Sequence, residues 1–516
     1  MEPRVAISCN HLKFTYFEES RPILDDVTLE IPEGSITVLM GSSGCGKSTL
    51  AAVLCGLLPE NGGFLTEGTI ELFGQPLKEM NPSKRAAFVS MMFQNPDLQF
   101  CMETLREELY FCMENIRIPA GEMKEKAEIA AKAMETEHLL DRPLHSLSGG
   151  EKQRAVLTCI YLLDAKCIIL DEPFANLDPA SVGDMMVWMK MLCKEQGKTI
   201  LAIDHMSDHW IGTADRFVLL GRGAEILAQA ENEEDLEKCK GIFKQEGIAY
   251  PGIWAETEIA PNENDFGDFG LYLKQLKMPK KPVSTKKRLF ARKERIPANL
   301  KAQDSLLYEA DALFPQEKIT AILGPSGCGK TSLMMTLLNQ RKYLGSIEVV
   351  EKAGAREVAD IGMKGTFAEV GIAFQNPSNQ FITQNVTAEV TDGLSRRYPE
   401  ESEEQIKERA IAMLDTCGLK PYQEFSPFML SQGQQRRLAV LSVLAAGQKL
   451  LLLDEPTYGQ DYISARALMD QVREKVLDEK LTVIMVTHDR GLAETYADVI
   501  YNVKDQKLCL ETGVGK

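Results

Sequence analysis

Two glycine-rich segments, each ending in a lysine and a hydroxyl residue, are the part of the sequence best suited to chemistry on phosphates. Gly41-Ser-Ser-Gly-Cys-Gly-Lys47-Ser48 and Gly324-Pro-Ser-Gly-Cys-Gly-Lys330-Thr331 each follow a short apolar run that fits a buried strand, and each precedes an apolar helical stretch. Glycines in this context let backbone N–H groups curl around phosphates, and the start of the helix adds partial positive charge. The lysine would reach the β- and γ-phosphates, and the hydroxyl would bind Mg²⁺.

Two copies in the same strand–loop–helix context argue against a chance glycine-rich turn. The residues of these loops predicted to bind the phosphates are Gly41, Ser42, Ser43, Gly44, Cys45, Gly46, Lys47, Ser48 and Thr49, and Gly324, Pro325, Ser326, Gly327, Cys328, Gly329, Lys330, Thr331 and Ser332.

Two acidic pairs are the natural partners of these loops. Asp171-Glu172 and Asp454-Glu455 each end an apolar run typical of a strand, and each Asp follows its loop lysine by 124 residues. Open α/β sheets bind ligands at the carboxyl ends of their strands. The aspartates would hold Mg²⁺, and the glutamates would orient or deprotonate the attacking water. A capped surface turn would not repeat at a fixed distance from a phosphate loop.

The whole chain contains one large repeat. The loops, the acidic pairs, Ser148 with Ser431 and His205 with His488 all recur at an offset of 283 residues, whereas Gln94 and Gln375 are 281 apart. The sequence therefore predicts a duplicated domain. We expect the first domain over 1–250, a linker over 251–300 and the second domain over 301–516.

The segment Leu147-Ser-Gly-Gly-Glu-Lys-Gln-Arg154 and its counterpart Leu430-Ser-Gln-Gly-Gln-Gln-Arg-Arg437 complete a recognisable set. Together with the loops, the acidic pairs and the later histidines, they resemble the nucleotide-binding domains of ATP-binding cassette (ABC) proteins. The resemblance implies an α/β fold in which each domain has a mixed core sheet, an antiparallel β subdomain and a helical signature subdomain. It also implies ATP and Mg²⁺ as ligands, and ATP hydrolysis as the reaction.

In that family the two domains pair head to tail. The signature of one half then caps the γ-phosphate held by the other half, which fits the anion-binding character of a helix start. The resemblance assigns this role to Ser148, Gly149 and Gly150, and to Ser431, Gln432 and Gly433.

Further roles come from the same resemblance. His205 and His488 each follow the aspartate by 34 residues and would contact the γ-phosphate. Gln94 and Gln375 match the glutamine that touches Mg²⁺ and water and relays to a membrane partner. Tyr16 matches the aromatic residue that stacks on adenine.

A second adenine-stacking aromatic is not clear from the sequence. Phe290 is a candidate, but its position fits an anchor within the linker better.

The segments that contain Gln94 and Gln375 indicate a particular group within this family. Both continue as Phe-Gln-Asn-Pro-x-x-Gln-Phe, over 93–100 and 374–381, and the segment Glu455-Pro-Thr-Tyr-Gly-Gln-Asp461 also fits one group. This pattern is similar to the ATPases of energy-coupling factor importers, which take up vitamins and transition-metal ions. That resemblance implies a transmembrane coupling protein, a small substrate-capture membrane protein, and a peripheral position on the cytoplasmic face of the cell membrane.

Two alternative functions remain open at this point. Tandem cassette proteins that act on the ribosome usually carry a long charged helical linker, whereas Gly267, Gly270, Pro279, Pro282 and Pro297 interrupt this one. A tandem ATPase for sugar import is the other alternative, against which the Asn-Pro-x-x-Gln-Phe pattern argues. A DNA-repair cassette would carry zinc-binding cysteine pairs, which the sequence lacks.

Composition sets further bounds. The net charge is −17, which argues against broad coating of nucleic acid, so no nucleic-acid partner is expected. The twelve cysteines form no CxxC pair, and the N-terminus has no apolar leader segment, which fits reduced thiols in a cytoplasmic protein. The apolar run over 438–453 is too short to cross a bilayer. The basic run over 274–295 fits a solvated connector, or alternatively a contact with anionic lipid or RNA.

One departure from the family pattern predicts unequal sites. Gln432 replaces the first signature glycine, and a side chain there would crowd the phosphate or add a donor. In a head-to-tail pair this signature faces Lys47, so the signature alone predicts that Glu455→Gln lowers turnover more than Glu172→Gln.

Overall fold

The same pair of β-sheets is built twice along the chain. The computed structural model describes residues 4–18, 21–174, 179–262, 270–281, 296–297, 299–325, 327–351, 354–361 and 369–511. The chain divides into two units, Met1–Pro251 with Asp461–Ile463, and Gly252–Gln460 with Ser464–Lys516.

The first unit has an antiparallel sheet and a larger mixed sheet. The antiparallel sheet has the order β2-β1-β4-β5, with β1 Val5–Thr15, β2 Leu24–Pro32, β4 Phe64–Leu72 and β5 Gln75–Pro76. The mixed sheet has the order β10-β9-β3-β8-β7-β6, with β3 Ile36–Gly41, β6 Val89–Met92, β7 Cys167–Asp171, β8 Thr199–Asp204, β9 Arg216–Leu220 and β10 Ile226–Ala230. The helices are α1 Lys47–Leu54, α2 Pro82–Ala86, α3 Leu105–Asn115, α4 Ala120–Ala133, α5 Gly149–Leu163, α6 Pro179–Lys194, α7 Glu233–Lys238 and α8 Lys240–Glu246.

The second unit repeats this plan. Its antiparallel sheet has the order β12-β11-β14-β15, with β11 Gly270–Pro279, β12 Ser305–Pro315, β14 Leu344–Glu351 and β15 Gly354–Glu357. Its mixed sheet has the order β16-β17-β18-β13-β19-β20, with β13 Ile319–Leu323, β16 Val370–Ala373, β17 Leu450–Asp454, β18 Thr482–Val486, β19 Val499–Lys504 and β20 Lys507–Leu510. Its helices are α9 Lys330–Leu337, α10 Val386–Arg397, α11 Glu403–Thr416, α12 Gln432–Ala446, α13 Tyr462–Asp478 and α14 Arg490–Tyr496.

The central strands of the mixed sheets explain where the site forms. Every residue of β3, β7 and β8 is buried, as expected for parallel strands that are covered on both faces. β3 pairs in parallel with β8, and β8 with β7, so the ends of these strands meet at one edge. The phosphate loop leaves β3 and the acidic pair leaves β7 at that edge. The pairing of β13, β18 and β17 repeats the arrangement.

A helical subdomain interrupts each mixed sheet between the glutamine and the acidic pair. In the first unit, α3, α4 and α5 pack around Leu105, Leu109, Ala127 and Ala155. In the second unit, α10, α11 and α12 contribute Val390, Ile406, Ala410 and Leu441 to its core. The predicted α/β fold, with two tandem domains of three subdomains each, is confirmed.

The prediction of a linker over 251–300 is wrong for Gly270–Pro279, which form strand β11. This strand pairs with β12 on one side and β14 on the other, and Leu271, Leu273, Leu276 and Met278 are buried in the second unit's core. The apolar alternation is hidden in the sequence because a register shift between Leu273 and Leu276 breaks the period of two.

The second unit also begins earlier than 301. Trp254 Nε1 donates to Asp489 Oδ2 at 2.8 Å, and Arg473 Nη2 donates to the carbonyl of Ala260 at 3.0 Å. Part of the predicted basic connector is therefore folded: Lys274 and Lys277 make ion pairs with Glu348 and Glu309 of the neighbouring strands. Residues 282–295 and Phe290 lie outside the described residues.

Within the described part of the chain, no helix is long and apolar enough to span a bilayer.

Candidate nucleotide-binding sites

The loop between β3 and α1 has the shape of a phosphate cradle. Gly44 and Gly46 have φ values of 81° and 111°, and a Cβ at Gly46 would lie 2.9 Å from the carbonyl oxygen of Ile23. Only glycine fits such a turn without strain. Lys47 Nζ donates to the carbonyls of Gly41 and Ser42, both at 2.8 Å, which holds the ammonium over the loop.

The loop between β13 and α9 repeats this geometry. Gly327 and Gly329 have φ values of 76° and 106°, and Lys330 Nζ donates to the carbonyls of Gly324 and Pro325 at 2.6 and 2.9 Å. Ser326 lies outside the described residues. The predicted loop residues on either side of it fold as a cradle of the same kind.

A hydroxyl and an aspartate meet beside each loop. Thr331 Oγ1 donates to Asp454 Oδ2 at 2.8 Å, and the Ser48 hydroxyl lies close enough to Asp171 to offset part of the rise in its pKa. Asp171 Oδ1 is buried and has no hydrogen-bond partner among the described residues. Among the described residues, no group of three or more His, Cys, Asp and Glu could hold a metal alone. One carboxylate and one hydroxyl nevertheless fit Mg²⁺, which usually completes its octahedron with water and substrate phosphates.

The glutamates that follow these aspartates are held in a strained backbone conformation. Glu172 and Glu455 have φ values of 50° and 53°, and their N–H groups donate to Ile203 and Val486, each at 3.0 Å. Strain of this kind persists only where the surrounding structure holds it, and it is common at functional sites. The sharp turn directs each glutamate toward the end of its sheet.

In the first unit Glu172 is fixed by two side chains. Gln94 Nε2 donates to Glu172 Oε2 at 2.6 Å, and His205 Nε2 lies 2.8 Å from Glu172 Oε1. Burial opposes ionisation, but His205, Gln94 and Lys47 outweigh it and bring the pKa of Glu172 below its ordinary value. The neighbouring Asp171 is affected in the opposite direction. Burial, and then the negative charge of Glu172, raise the pKa of Asp171 to about 7.

In the second unit Glu455 has fewer partners. His488 Nε2 lies 3.1 Å from Glu455 Oε1, and the His488 N–H donates to Oε2 at 3.2 Å. Gln375 is exposed and, within the described residues, makes no hydrogen bond to Glu455. Burial raises the pKa of Glu455 to about 8, which the nearby Lys330 only partly offsets.

Both signature segments begin a helix with a reciprocal cap. Ser148 accepts from the Glu151 N–H and Ser431 from the Gln434 N–H, and each N3 side chain bonds back to its serine N–H. Gln432 is the first residue of α12 and does not disturb this cap. Gly433 packs closely, since a Cβ there would lie 3.1 Å from the carbonyl oxygen of Gly459.

The aromatic predicted to stack on adenine lies beside the first loop. Tyr16 is 43% exposed, its hydroxyl is 3.1 Å from Thr49 Oγ1, and Phe14 packs edge-on to its ring at 5.2 Å. The register of the antiparallel sheets identifies its counterpart, because the pair Cys9–Ile70 corresponds to Leu273–Ile347. Counted from that pair, Lys280 occupies the position of Tyr16.

The sequence analysis missed Arg341. Its Nη1 donates to Ser332 Oγ at 2.5 Å and its Nη2 to the carbonyl of Pro279 at 2.9 Å, so it lies beside the second loop. No local motif marks this residue.

Arg436 was also missed. It is buried, its guanidinium lies 4.6 Å from the ring of Tyr458 and donates to that residue's carbonyl, and its Nε donates to the carbonyl of Gln375 at 3.4 Å. Gln153 takes this place in the first signature, and that difference was the available signal.

Comparison with known proteins defines the class. The model of the ABC transporter family matches residues 24–175 and 308–458, and the chain belongs to this family. It is a tandem ABC ATPase of the transporter type, and its reaction is ATP hydrolysis.

Individual relatives cover nearly the whole chain. A Bacillus subtilis protein, provisionally named an HMP/thiamine import ATP-binding protein, YkoD, is 31% identical over 98% of this chain and 91% of its own length. A Methanosarcina acetivorans protein, provisionally named an ABC transporter ATP-binding protein, is 32% identical over 97% of this chain and 84% of its own. The solved archaeal ribosome recycling factor aABCE1 covers 97% of this chain and 89% of its own, with a TM-score of 0.60 and 17% identity, and shows the shared fold.

Proposed function

We propose that this chain is the ATPase subunit that powers an energy-coupling factor type importer for a vitamin or a transition-metal ion. The observation that carries the proposal is the Gln-Asn-Pro-x-x-Gln-Phe segment, which follows β6 and recurs after β16. The import role in the name of the Bacillus subtilis relative supports it.

The turn that both segments share comes from their asparagine, whereas the second glutamine bonds differently in each, since Gln380 Nε2 donates to the carbonyl of Ala439 at 2.9 Å. Asn95 accepts from the Asp97 N–H at 3.0 Å, and Asn376 accepts from the Ser378 N–H at 3.1 Å, so both segments start the same 3₁₀ turn. Gln99 bonds back to the strand, with its Nε2 donating to the carbonyl of Met91 at 2.7 Å. The turn is fixed from within, which suits a surface that receives another protein.

Exposed apolar side chains follow these turns and suit a helix of a membrane partner. Leu98 is 76% exposed in the first unit, and Ile382 is 78% exposed in the second. Phe428 and Met429, which precede the second signature, are 58% and 73% exposed. In the first unit, Leu98 lies close in the chain to Gln94, which bonds the catalytic glutamate, so movement of a transmembrane coupling protein against this surface would be linked to hydrolysis.

The side chains gathered at each loop support the following catalytic roles. Lys47 and Lys330 would hold the β- and γ-phosphates, and Ser48 with Asp171, and Thr331 with Asp454, would hold Mg²⁺, whose charge would offset that of the phosphates. Glu172 and Glu455 would orient the attacking water and, when ionised, accept its proton.

We further propose, from the family resemblance, that each site is completed from the other half of the chain. His205 and His488 would contact the γ-phosphate, and the signatures beginning at Ser148 and Ser431 would close over the phosphates of the opposite loop. Nucleotide binding would then close the pair and hydrolysis would reopen it.

The chain would act at the cytoplasmic face of the cell membrane, bound to a transmembrane coupling protein and a small substrate-capture protein. The test is gentle detergent purification of the tagged chain from its own cells, with its companions identified by mass. Small hydrophobic membrane proteins among them are the expected result. Ribosomal proteins and rRNA in their place would overturn the importer proposal and favour a role on the ribosome.

A second arm of this test uses the turns themselves. Leu98→Glu and Ile382→Glu place a charge on each apolar surface and are expected to release the membrane companions while leaving ATP turnover of the isolated chain intact. Ile129→Glu, at an exposed apolar position on α4, is the matched control and should keep the companions bound.

A further inference from the structure

Arg341 is a partly buried cation to which the described residues supply no acidic partner. Its guanidinium donates to Ser332 Oγ and to the carbonyl of Pro279. Burial lowers the pKa of Arg341. A charge that is partly removed from water is normally paired with an opposite charge or bound to a ligand. We therefore expect the Arg341 guanidinium to bind a further group.

The guanidinium contacts the residue of the second loop that is equivalent to the one contacted by the tyrosine hydroxyl in the first unit. Ser332 and Thr49 are equivalent residues, each two places after the loop lysine. In the first unit Thr49 is contacted by Tyr16, and in the second unit Ser332 is contacted by Arg341. Lys280, which takes the chain position of Tyr16, is exposed. Two residues from different parts of the fold thus reach the same point beside the phosphate loop.

We propose that Arg341 binds the purine ring of the nucleotide held by the second loop. The guanidinium is planar and weakly hydrated, and it stacks on aromatic rings with a cation–π contribution. Two of its five N–H groups donate to Ser332 and Pro279, which fixes the plane of the guanidinium so that one face can lie against the ring.

A purely structural role predicts something different. In that case Arg341 only fixes the end of β11 through the carbonyl of Pro279, and its loss would affect all ligands of the loop equally. Inorganic tripolyphosphate separates the two roles, because it has the phosphates of ATP and no base.

The experiment measures binding to the full-length chain by calorimetry in a Lys47→Ala background, which leaves the second loop as the binding site. Arg341→Ala is expected to weaken ATP binding about tenfold, the size of one stacking contact, and to leave tripolyphosphate binding unchanged. Arg341→Lys keeps the charge and loses the plane, so it should behave like Arg341→Ala. Arg341→Trp restores a stacking face and should recover ATP binding. Tyr16→Ala in a Lys330→Ala background is the matched control for the first site.

Each other outcome overturns a defined part of the proposal. Equal loss of ATP and tripolyphosphate, or no loss of either, would remove Arg341 from the base site. Failure of the Lys47→Ala chain to bind ATP at all would instead overturn the assignment of the second loop, on which the inference rests.

Discussion

Glu172 and Glu455 follow equivalent strands of the two units, yet their surroundings differ. Glu172 is bonded by Gln94 and lies 2.8 Å from His205 Nε2, so its pKa is lowered. Among the described residues, His488 is the side chain within 3.1 Å of the Glu455 carboxylate, and burial raises the pKa of Glu455 to about 8. The two glutamates have the same backbone conformation, and the side chains around each carboxyl group determine its pKa.

The largest expected effect is the loss of ATP turnover when either glutamate is replaced by glutamine. At pH 7 Glu172 is ionised and Glu455 mostly protonated, so Glu172→Gln should remove most ATP turnover of the purified chain and Glu455→Gln the smaller part. The double variant should lose about 10²-fold or more, the usual contribution of a general base. Phosphate release measures all three.

This order is the reverse of the one that Gln432 alone predicts. A greater loss in Glu455→Gln would mean that the signature residue, and not the charge of the glutamate, sets the difference between the sites.

The pH dependence of ATP turnover should also differ between the two sites. A carboxyl with a raised pKa gains its charge as the pH rises through that pKa, so turnover by the second site should increase between about pH 7 and 9. The Glu172→Gln variant reports this site alone and should show the rise. The Glu455→Gln variant should be flat over the same range, and a flat profile in both would contradict the assigned charge states.

Replacement of Gln94 and replacement of Gln375 should also affect ATP turnover unequally. Gln94→Ala removes a hydrogen bond to an ionised carboxylate, so turnover is expected to fall about tenfold at the first site. Gln375→Ala removes no such bond and should leave turnover of the purified chain close to the parent value. Both variants are compared without membrane partners, which isolates the effect on Glu172 from any effect on docking.

A smaller effect is expected from Arg436, which the first unit replaces with Gln153. Arg436→Gln loses the contacts with Tyr458 and the carbonyl of Gln375, and should destabilise the second unit by about 2 kcal/mol. Thermal unfolding of the full chain measures it. Arg396→Gln, which breaks an exposed pair with Asp392 one helical turn away, is the control and should cost less than about 0.5 kcal/mol.

Much of each site could be predicted from the sequence, because its chemistry lies in short segments. The loop of Lys47 and the pair Asp171-Glu172 are local patterns, and the fold needs only to end their strands at one edge of a sheet. The repeat then transfers the same expectation to Lys330 and Asp454.

The residues that were missed depend on tertiary contacts. Arg341 lies beside the loop only because the end of β11 and the start of α9 meet there, more than fifty residues apart in the chain. The strand over 270–279 was missed because its lysines and its register shift mask the alternation of apolar residues.

The position of β11 determines where this duplicated chain can be divided. A cut just before Gly252 gives two polypeptides that each keep both sheets complete. A cut at 300 removes the strand that joins β12 to β14 and leaves two unpaired edges in the second half. Two separate polypeptides would therefore keep both sheets of each half only when the division falls on the N-terminal side of that strand.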